Sequence, residues 1–99
     1  MIINCFYEEN LNYADIVFIP ESIICIEKAQ EDFLHWLYDT KSKHDYWVIF
    51  NGEKRGCSYG TKAFVDWINE SVCKESEEKA YLIEKNATEW DEKDKSLFF

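Results

Sequence analysis

The chain has 99 residues, of which 20 are acidic and 11 basic, so its formal net charge is −9. Because 46% of the residues are hydrophobic and 17% are aromatic, the composition excludes a disordered acidic chain and predicts one folded domain over residues 1–99. No apolar run approaches the roughly 20 residues of a membrane span, and the negative charge disfavours direct contact with nucleic acid.

The N-terminal part of the sequence predicts two strands and a helix. Ile2–Tyr7 and Asp15–Ile19 are apolar and partly β-branched, which favours strands. Residues 10–13 between them have turn character. From Ser22 to Asp39 the apolar residues recur every three to four positions, which predicts an amphipathic helix.

The middle of the chain predicts a hairpin and a second helix. Tyr46–Phe50 is the strongest strand signal, and the Asn51-Gly52 pair that follows favours a type I′ turn. We therefore expect a return strand over Lys54–Tyr59. Thr61 is predicted to cap a second helix that ends near Val72.

The C-terminal part predicts two more strands. Ala80–Ile83 fits a strand or a helix, and we favour a strand, whereas Trp90–Lys95 is a charged connection before a last short strand at Ser96–Phe99. The resulting order ββαββαββ predicts the α+β class, with a mixed, mostly antiparallel sheet and two amphipathic helices. Trp47 and Trp67 occupy apolar positions of their elements and are expected in the core.

Residues capable of catalysis or metal binding show no motif. Cys57 and His44 would suit an activated thiolate, but no nucleophile signature surrounds Cys57. The four cysteines are 20, 32 and 16 residues apart, unlike paired zinc ligands. Adjacent carboxylates such as Glu8-Glu9 fit a solvated surface better than a glycosidase pair. The sequence therefore predicts no enzyme, no metal and no cofactor.

The N-terminus has no basic segment followed by an apolar one, so the sequence predicts no signal peptide and a cytoplasmic protein with reduced thiols. Charge is unevenly distributed: residues 1–40 carry −7, residues 41–65 carry +3, and residues 66–99 carry −5. An acidic protein with one small basic region attracts cationic partners. A monomer is expected.

Five segments carry a resemblance to a known group of proteins: Phe33–Tyr38, Tyr46–Phe50, Ala63–Asn69, Lys79–Ile83 and Leu97–Phe99. Together they resemble the small acidic immunity proteins of contact-dependent growth inhibition and related polymorphic toxin systems. The resemblance implies a non-enzymatic inhibitor that binds one cognate toxin domain, with a basic nuclease as the expected partner. It covers most of the chain but implies no individual binding residue.

Two acidic groups are the predicted partner-binding residues. They are the exposed helix face Glu27, Glu31 and Asp32, and the connection with Glu89, Trp90, Asp91, Glu92 and Asp94. A tryptophan flanked by carboxylates is typical of a hot spot against a basic pocket, with packing of that ring onto the sheet as the alternative. Two other functions stay open: a nucleic-acid mimic that inhibits a DNA-binding enzyme, and a small enzyme.

Overall fold

The computed structural model describes all 99 residues, and the elements follow the predicted order ββαββαββ. The fold is α+β, as predicted. Neither helix is long and apolar enough to cross a bilayer. The strands are β1 (Ile2–Tyr7), β2 (Asn10–Phe18), β3 (Trp47–Phe50), β4 (Glu53–Cys57), β5 (Tyr81–Ala87) and β6 (Lys95–Phe98). The helices are α1 (Ile26–Tyr38) and α2 (Thr61–Trp67), and α2 continues as a π-helical turn over Ile68–Val72.

Four strands form the main sheet in the order β5-β2-β1-β6, and β3 and β4 form a separate hairpin. β2 is antiparallel to both β1 and β5, whereas β6 is parallel to β1. The prediction of a mixed, mostly antiparallel sheet is therefore confirmed. Because β5 and β6 lie at opposite edges, the connection of residues 88–94 has to cross one face of the sheet.

The core lies between the other face of the sheet and the two helices. Ile3 and Val17 project from the sheet into a cluster with Phe33 of α1 and Phe64 of α2, and all four are fully buried. The Phe33 ring lies 5.3 Å from that of Phe64. The predicted apolar stripe of α1 is confirmed, since Ile26, Ala29, Phe33 and Leu37 are buried. We call the face of the sheet opposite the helices the outer face.

The turn between β1 and β2 differs from the predicted one. It consists of Glu8 and Glu9, and β2 begins at Asn10, so residues 10–13 belong to the strand. Both glutamates adopt left-handed backbone angles, with φ of 53° and 60°. The register of the two strands shifts between Cys5 and Tyr7, which accommodates the longer β2.

Other boundaries also differ from the prediction. Helix α1 begins four residues later than Ser22, because residues 20–23 form a turn in which Ile23 N–H donates to Pro20 O at 3.1 Å. Thr61 does not cap α2; the N-cap is Gly60, and the Thr61 side chain makes no capping hydrogen bond. The Asn51-Gly52 turn is confirmed, with both residues at positive φ.

The two tryptophans expected in the core are only half-buried. Trp47 lies in the separate hairpin, where its indole N–H donates to Ser42 O at 3.1 Å and the Lys54 ammonium lies 4.8 Å from its ring centroid. Trp67 packs edge-on against Phe33 at the margin of the core, at 5.8 Å. The strong strand signal of β3 thus reflects a hairpin beside the main sheet and not a core strand.

Candidate partner-binding surface

A row of three aromatic rings lies on the outer face of the sheet. Trp90 packs edge-on against Phe6 at 5.2 Å, and Phe6 stacks on Phe98 at 5.3 Å. Phe6 is buried and Trp90 half-buried, but Phe98 is 61% exposed. The predicted alternative for Trp90, packing onto the sheet, is thus the observed contact, and the exposed aromatic side chain of this row is Phe98.

The acidic connection is fixed on the outer face by backbone contacts. Asn4 Nδ2 donates to the Asp91 carbonyl at 3.1 Å, and Asp94 N–H donates to the same oxygen at 3.1 Å. The Asp91 carboxylate accepts from Lys93 N–H at 2.9 Å, so it caps the local turn. Glu89 and Glu92 are exposed and form no ion pair.

The carboxylates predicted on α1 are partly neutralised. Glu27 pairs with Lys95, and the hydrogen bond from Lys95 lowers the pKa of Glu27. Asp32 pairs with Lys28 at 2.6 Å, whereas Glu31 is exposed and unpaired. The Glu27–Lys95 contact brings the first turn of α1 to the start of β6, so the two predicted acidic groups adjoin.

A second surface, which the sequence did not single out, surrounds the β1–β2 turn. One groove of about 250 Å³ is lined by Glu9 and Phe98, among others, and a second of about 420 Å³ is lined by Glu8 and Tyr59, among others. Phe99 lines both grooves, and no lysine, arginine or histidine lines either. We call this the hairpin-end surface, composed of Tyr7, Glu8, Glu9, Leu11, Tyr38, Tyr59, Phe98 and Phe99.

The two β-hairpin turns of the chain both place their central residues in left-handed backbone, but they use different residue types. Asn51 and Gly52 adopt φ of 51° and 76°, and Glu8 and Glu9 adopt φ of 53° and 60°. Asn-Gly is the favoured pair for such a turn, whereas other L-residues in left-handed backbone are strained by roughly 1–2 kcal/mol each. Strain of this kind clusters at functional sites. The Glu8-Glu9 pair is thus not explained by the turn alone.

Buried and partly buried hydrogen bonds hold the end of β1 next to this turn. The Tyr7 hydroxyl contacts Thr61 Oγ1 at 2.7 Å, and Thr61 Oγ1 donates to Asp15 Oδ2 at 2.5 Å. Asp15 Oδ1 accepts from Asn86 N–H at 2.9 Å. Because a threonine hydroxyl has one hydrogen, Tyr7 donates to Thr61, which donates to Asp15. Burial raises the pKa of Tyr7, so its hydroxyl stays protonated.

Cys57 and His44, the pair considered for thiolate chemistry, do not form a hydrogen bond with each other. Cys57 Sγ donates to Leu37 O at 3.4 Å, and His44 Nε2 lies 2.8 Å from the same oxygen. His44 Nδ1 accepts from Tyr46 N–H at 3.2 Å. Burial raises the pKa of the Cys57 thiol, whereas an activated nucleophile needs a lowered one. This geometry gives no support to thiolate catalysis.

The hairpin-end surface was not identified from the sequence, because the sequence pattern that marks it is weak. Two adjacent glutamates between strand segments resemble a solvated loop, and neither residue type indicates left-handed backbone. No protein-family model, curated protein or solved structure matches the chain. Function therefore has to be inferred from the geometry and charge of these surfaces.

Proposed function

We propose that this chain is an immunity protein that binds and neutralises a cognate bacterial toxin domain, expected to be a basic nuclease, through its acidic surface. The observation that carries the proposal is the Glu8-Glu9 turn. Two carboxylates occupy a strained turn that Asn-Gly would form without strain, and each lines a groove that contains no basic residue. A role of these two carboxylates in binding a partner explains why glutamates occupy the turn in place of Asn-Gly.

Exposed aromatic and aliphatic side chains next to these carboxylates supply apolar contact area. Phe98 and Leu11 are 61% and 57% exposed, and Tyr38 is 50% exposed. Exposed aromatic residues close to charges are typical of interface hot spots. The aromatic row leads from Phe98 to Trp90, beside which Glu89 and Glu92 are unpaired.

Charge favours a basic partner. A net charge of −9 steers a cationic protein toward the chain from a distance and repels nucleic acid. Nuclease domains carry basic surfaces because they bind phosphates, and electrostatic complementarity raises the association rate and excludes wrong partners. The basic residues of the region 41–65 line neither groove of the hairpin-end surface, to which this region contributes the uncharged Tyr59.

We expect a large protein to be encoded directly upstream, and the test is co-expression of its C-terminal domain with this chain. We expect the domain to inhibit growth alone, and we expect this chain to restore growth and to copurify with it. In the Glu8→Gln/Glu9→Gln variant, affinity should fall by more than about tenfold, since truncating a buried charge pair costs roughly 2–5 kcal/mol. Glu77→Gln/Glu78→Gln is the matched control, because it removes two adjacent exposed glutamates elsewhere.

Two results would contradict the proposal. A toxic domain that is neither bound nor neutralised would exclude a cognate pair. Binding to several unrelated DNA-binding enzymes with similar affinity would indicate instead a nucleic-acid mimic, the alternative that the acidic composition leaves open.

A further inference from the structure

The larger groove of the hairpin-end surface has a fixed aromatic corner. Tyr7 and Phe99 stack with ring centroids 4.9 Å apart and planes 12° from parallel. Tyr59 meets both rings edge-on, at 6.2 Å from Tyr7 and 6.3 Å from Phe99. Tyr38 completes the lining, and its side chain is 50% exposed. The groove thus presents three tyrosines and a phenylalanine to solvent.

Hydrogen bonds hold Tyr7 and Phe99 in place before any ligand binds. The Tyr7 hydroxyl is held by Thr61 at 2.7 Å, and Phe99 N–H donates to Phe6 O at 2.9 Å. Burial raises the pKa of Tyr59 to about 12, so the phenol is uncharged at neutral pH. A preorganised site loses less conformational entropy on binding.

The charge of the groove selects a cation. Its one charged side chain is Glu8, which is exposed and forms no ion pair. Three other grooves of the molecule each contain at least one lysine: the first has Lys43, the second Lys43 and Lys54, and the third Lys62 and Lys85. Aromatic faces attract cations through their quadrupole, and a carboxylate at the rim adds to that attraction.

We infer that this groove binds an arginine side chain of the partner protein, held between the tyrosine rings and the Glu8 carboxylate. Arginine fits better than lysine, because the planar guanidinium stacks on aromatic rings, pairs with a carboxylate through two hydrogen bonds and is less strongly hydrated. A volume of about 420 Å³ lies in the usual range of ligand pockets. The inference rests on the proposed function for the identity of the partner, but the groove can be tested without it.

The experiment uses N-acetyl-arginine-methylamide as the probe and follows the backbone amides of the ¹⁵N-labelled full chain by NMR. We expect saturable shifts at millimolar probe, confined to amides around Glu8, Tyr38 and Ser58–Tyr59. The citrulline analogue has the same shape without the charge and should not saturate. Equal shifts with citrulline, or arginine shifts confined to Glu89 and Glu92, would overturn the inference.

Variants identify the groups that bind the probe. Tyr38→Leu should weaken arginine binding by about two- to fivefold, as expected for one exposed cation–π contact, and Tyr38→Phe should keep it. Because Tyr38 is half-exposed, both variants should fold, which the amide spectrum checks. Glu8→Gln should weaken binding and Glu77→Gln should not. If Tyr38→Leu and Glu8→Gln both bind like the wild type, the groove does not hold the guanidinium.

The inference and the proposed function fail in different ways. If the toxin domain binds with the same Kd to the wild type and to Tyr38→Leu, the arginine site is wrong and the immunity function stands. If the arginine probe saturates the groove but no toxin domain is neutralised, the site stands and the immunity function is wrong.

Discussion

Thr61 donates its hydroxyl hydrogen to Asp15 at 2.5 Å, and both residues are more than nine-tenths buried. This hydrogen bond joins the first residue of α2 to β2, 46 positions away in sequence. The carboxylate has no cationic partner and is held by Thr61 and by Asn86 N–H. A buried carboxylate bonded only to neutral donors depends strongly on each of them.

Replacing Thr61 by valine should therefore destabilise the fold by about 1–3 kcal/mol, since it leaves a buried acceptor without its donor. Thr61→Ser keeps the hydroxyl and should lose less stability than the valine variant. Urea unfolding gives both free energies, with the slope m checking that the unfolded state is unchanged. Equal midpoints for the valine variant and the wild type would mean that the bond contributes nothing to stability.

Stability should fall as the pH rises above about 9. Burial, and secondarily the Asp15 charge, raises the pKa of Cys5 from 9.0 to about 12. The folded state therefore keeps its thiol proton where the unfolded state loses it. The resulting loss of stability begins near pH 9 and continues toward pH 12, at up to roughly 1.4 kcal/mol per pH unit.

Cys5→Ala should flatten this alkaline decline, as measured by urea unfolding between about pH 8 and pH 10, a range set by the ordinary and raised pKa of the thiol. Cys25→Ala is the matched control, because Cys25 is exposed and its removal should leave the slope unchanged. The same slope in all three proteins would assign the alkaline decline to other groups.

The sequence predicted the elements well because local signals set them. The Asn51-Gly52 turn, the apolar stripe of α1 and the order of strands and helices all follow from short-range patterns. Pairing across the sheet is long-range, so the crossing of residues 88–94 over the outer face, which places Trp90 on Phe6, had no sequence signal. Thr61 was mispredicted for the same reason, because its hydroxyl donates to Asp15, which is distant in sequence, and does not cap its own helix.

The candidate site was harder to predict for a related reason. The eight predicted binding residues stay untested as contacts, and the structure shows Glu27 and Asp32 paired with lysines. The hairpin-end surface unites residues from β1, β2 and their turn, from α1, from the connection after β4 and from the C-terminus, which only the folded chain brings together. No spacing in the sequence relates Glu8 to Tyr38 or Tyr59.

Exchange of the strained turn should stabilise the protein and weaken binding. Glu8→Asn/Glu9→Gly replaces two strained residues by the pair that favours this turn, so the free energy of unfolding should rise by about 1–3 kcal/mol, after the entropy cost of the new glycine is deducted. The Glu8→Gln/Glu9→Gln variant removes the same charge but keeps the backbone strain, so its free energy of unfolding should rise less. Both variants should lose affinity for the toxin domain. A destabilised Asn-Gly variant would show that the glutamates stabilise the turn.

Truncation of Trp90 should affect stability as well as binding. Its ring contacts Phe6 and is half-buried, so Trp90→Ala should cost more than the roughly 0.5–1.5 kcal/mol of an aromatic pair. It should cost less than the roughly 3–5 kcal/mol of a fully buried ring. Trp90→Phe preserves an aromatic contact and separates the two effects. A Trp90→Ala protein that melts like the wild type would place the ring outside the packed structure.

The carboxylates near Trp90 should steer association more than those on α1, because Glu89 and Glu92 adjoin the aromatic row that leads from Trp90 to Phe98. Since the fields of charges add, the ion pairs of Glu27 and Asp32 do not reduce the effect of neutralising these two carboxylates, and the distance from the bound partner decides which pair matters more.

Glu89→Gln/Glu92→Gln should therefore slow association with the toxin domain more than Glu27→Gln/Asp32→Asn does, although both double variants remove the same formal charge. The difference should be large at about 0.01 M salt, where charges act over about 30 Å, and should vanish near 1 M salt, where they act over about 3 Å. Stopped-flow mixing measures the on-rate, and rim charges change this rate more than they change dissociation. Equal slowing by the two variants would show that the carboxylates near Trp90 lie no closer to the bound partner than those on α1. Association that is insensitive to salt would assign the charge to solubility and place the binding surface elsewhere.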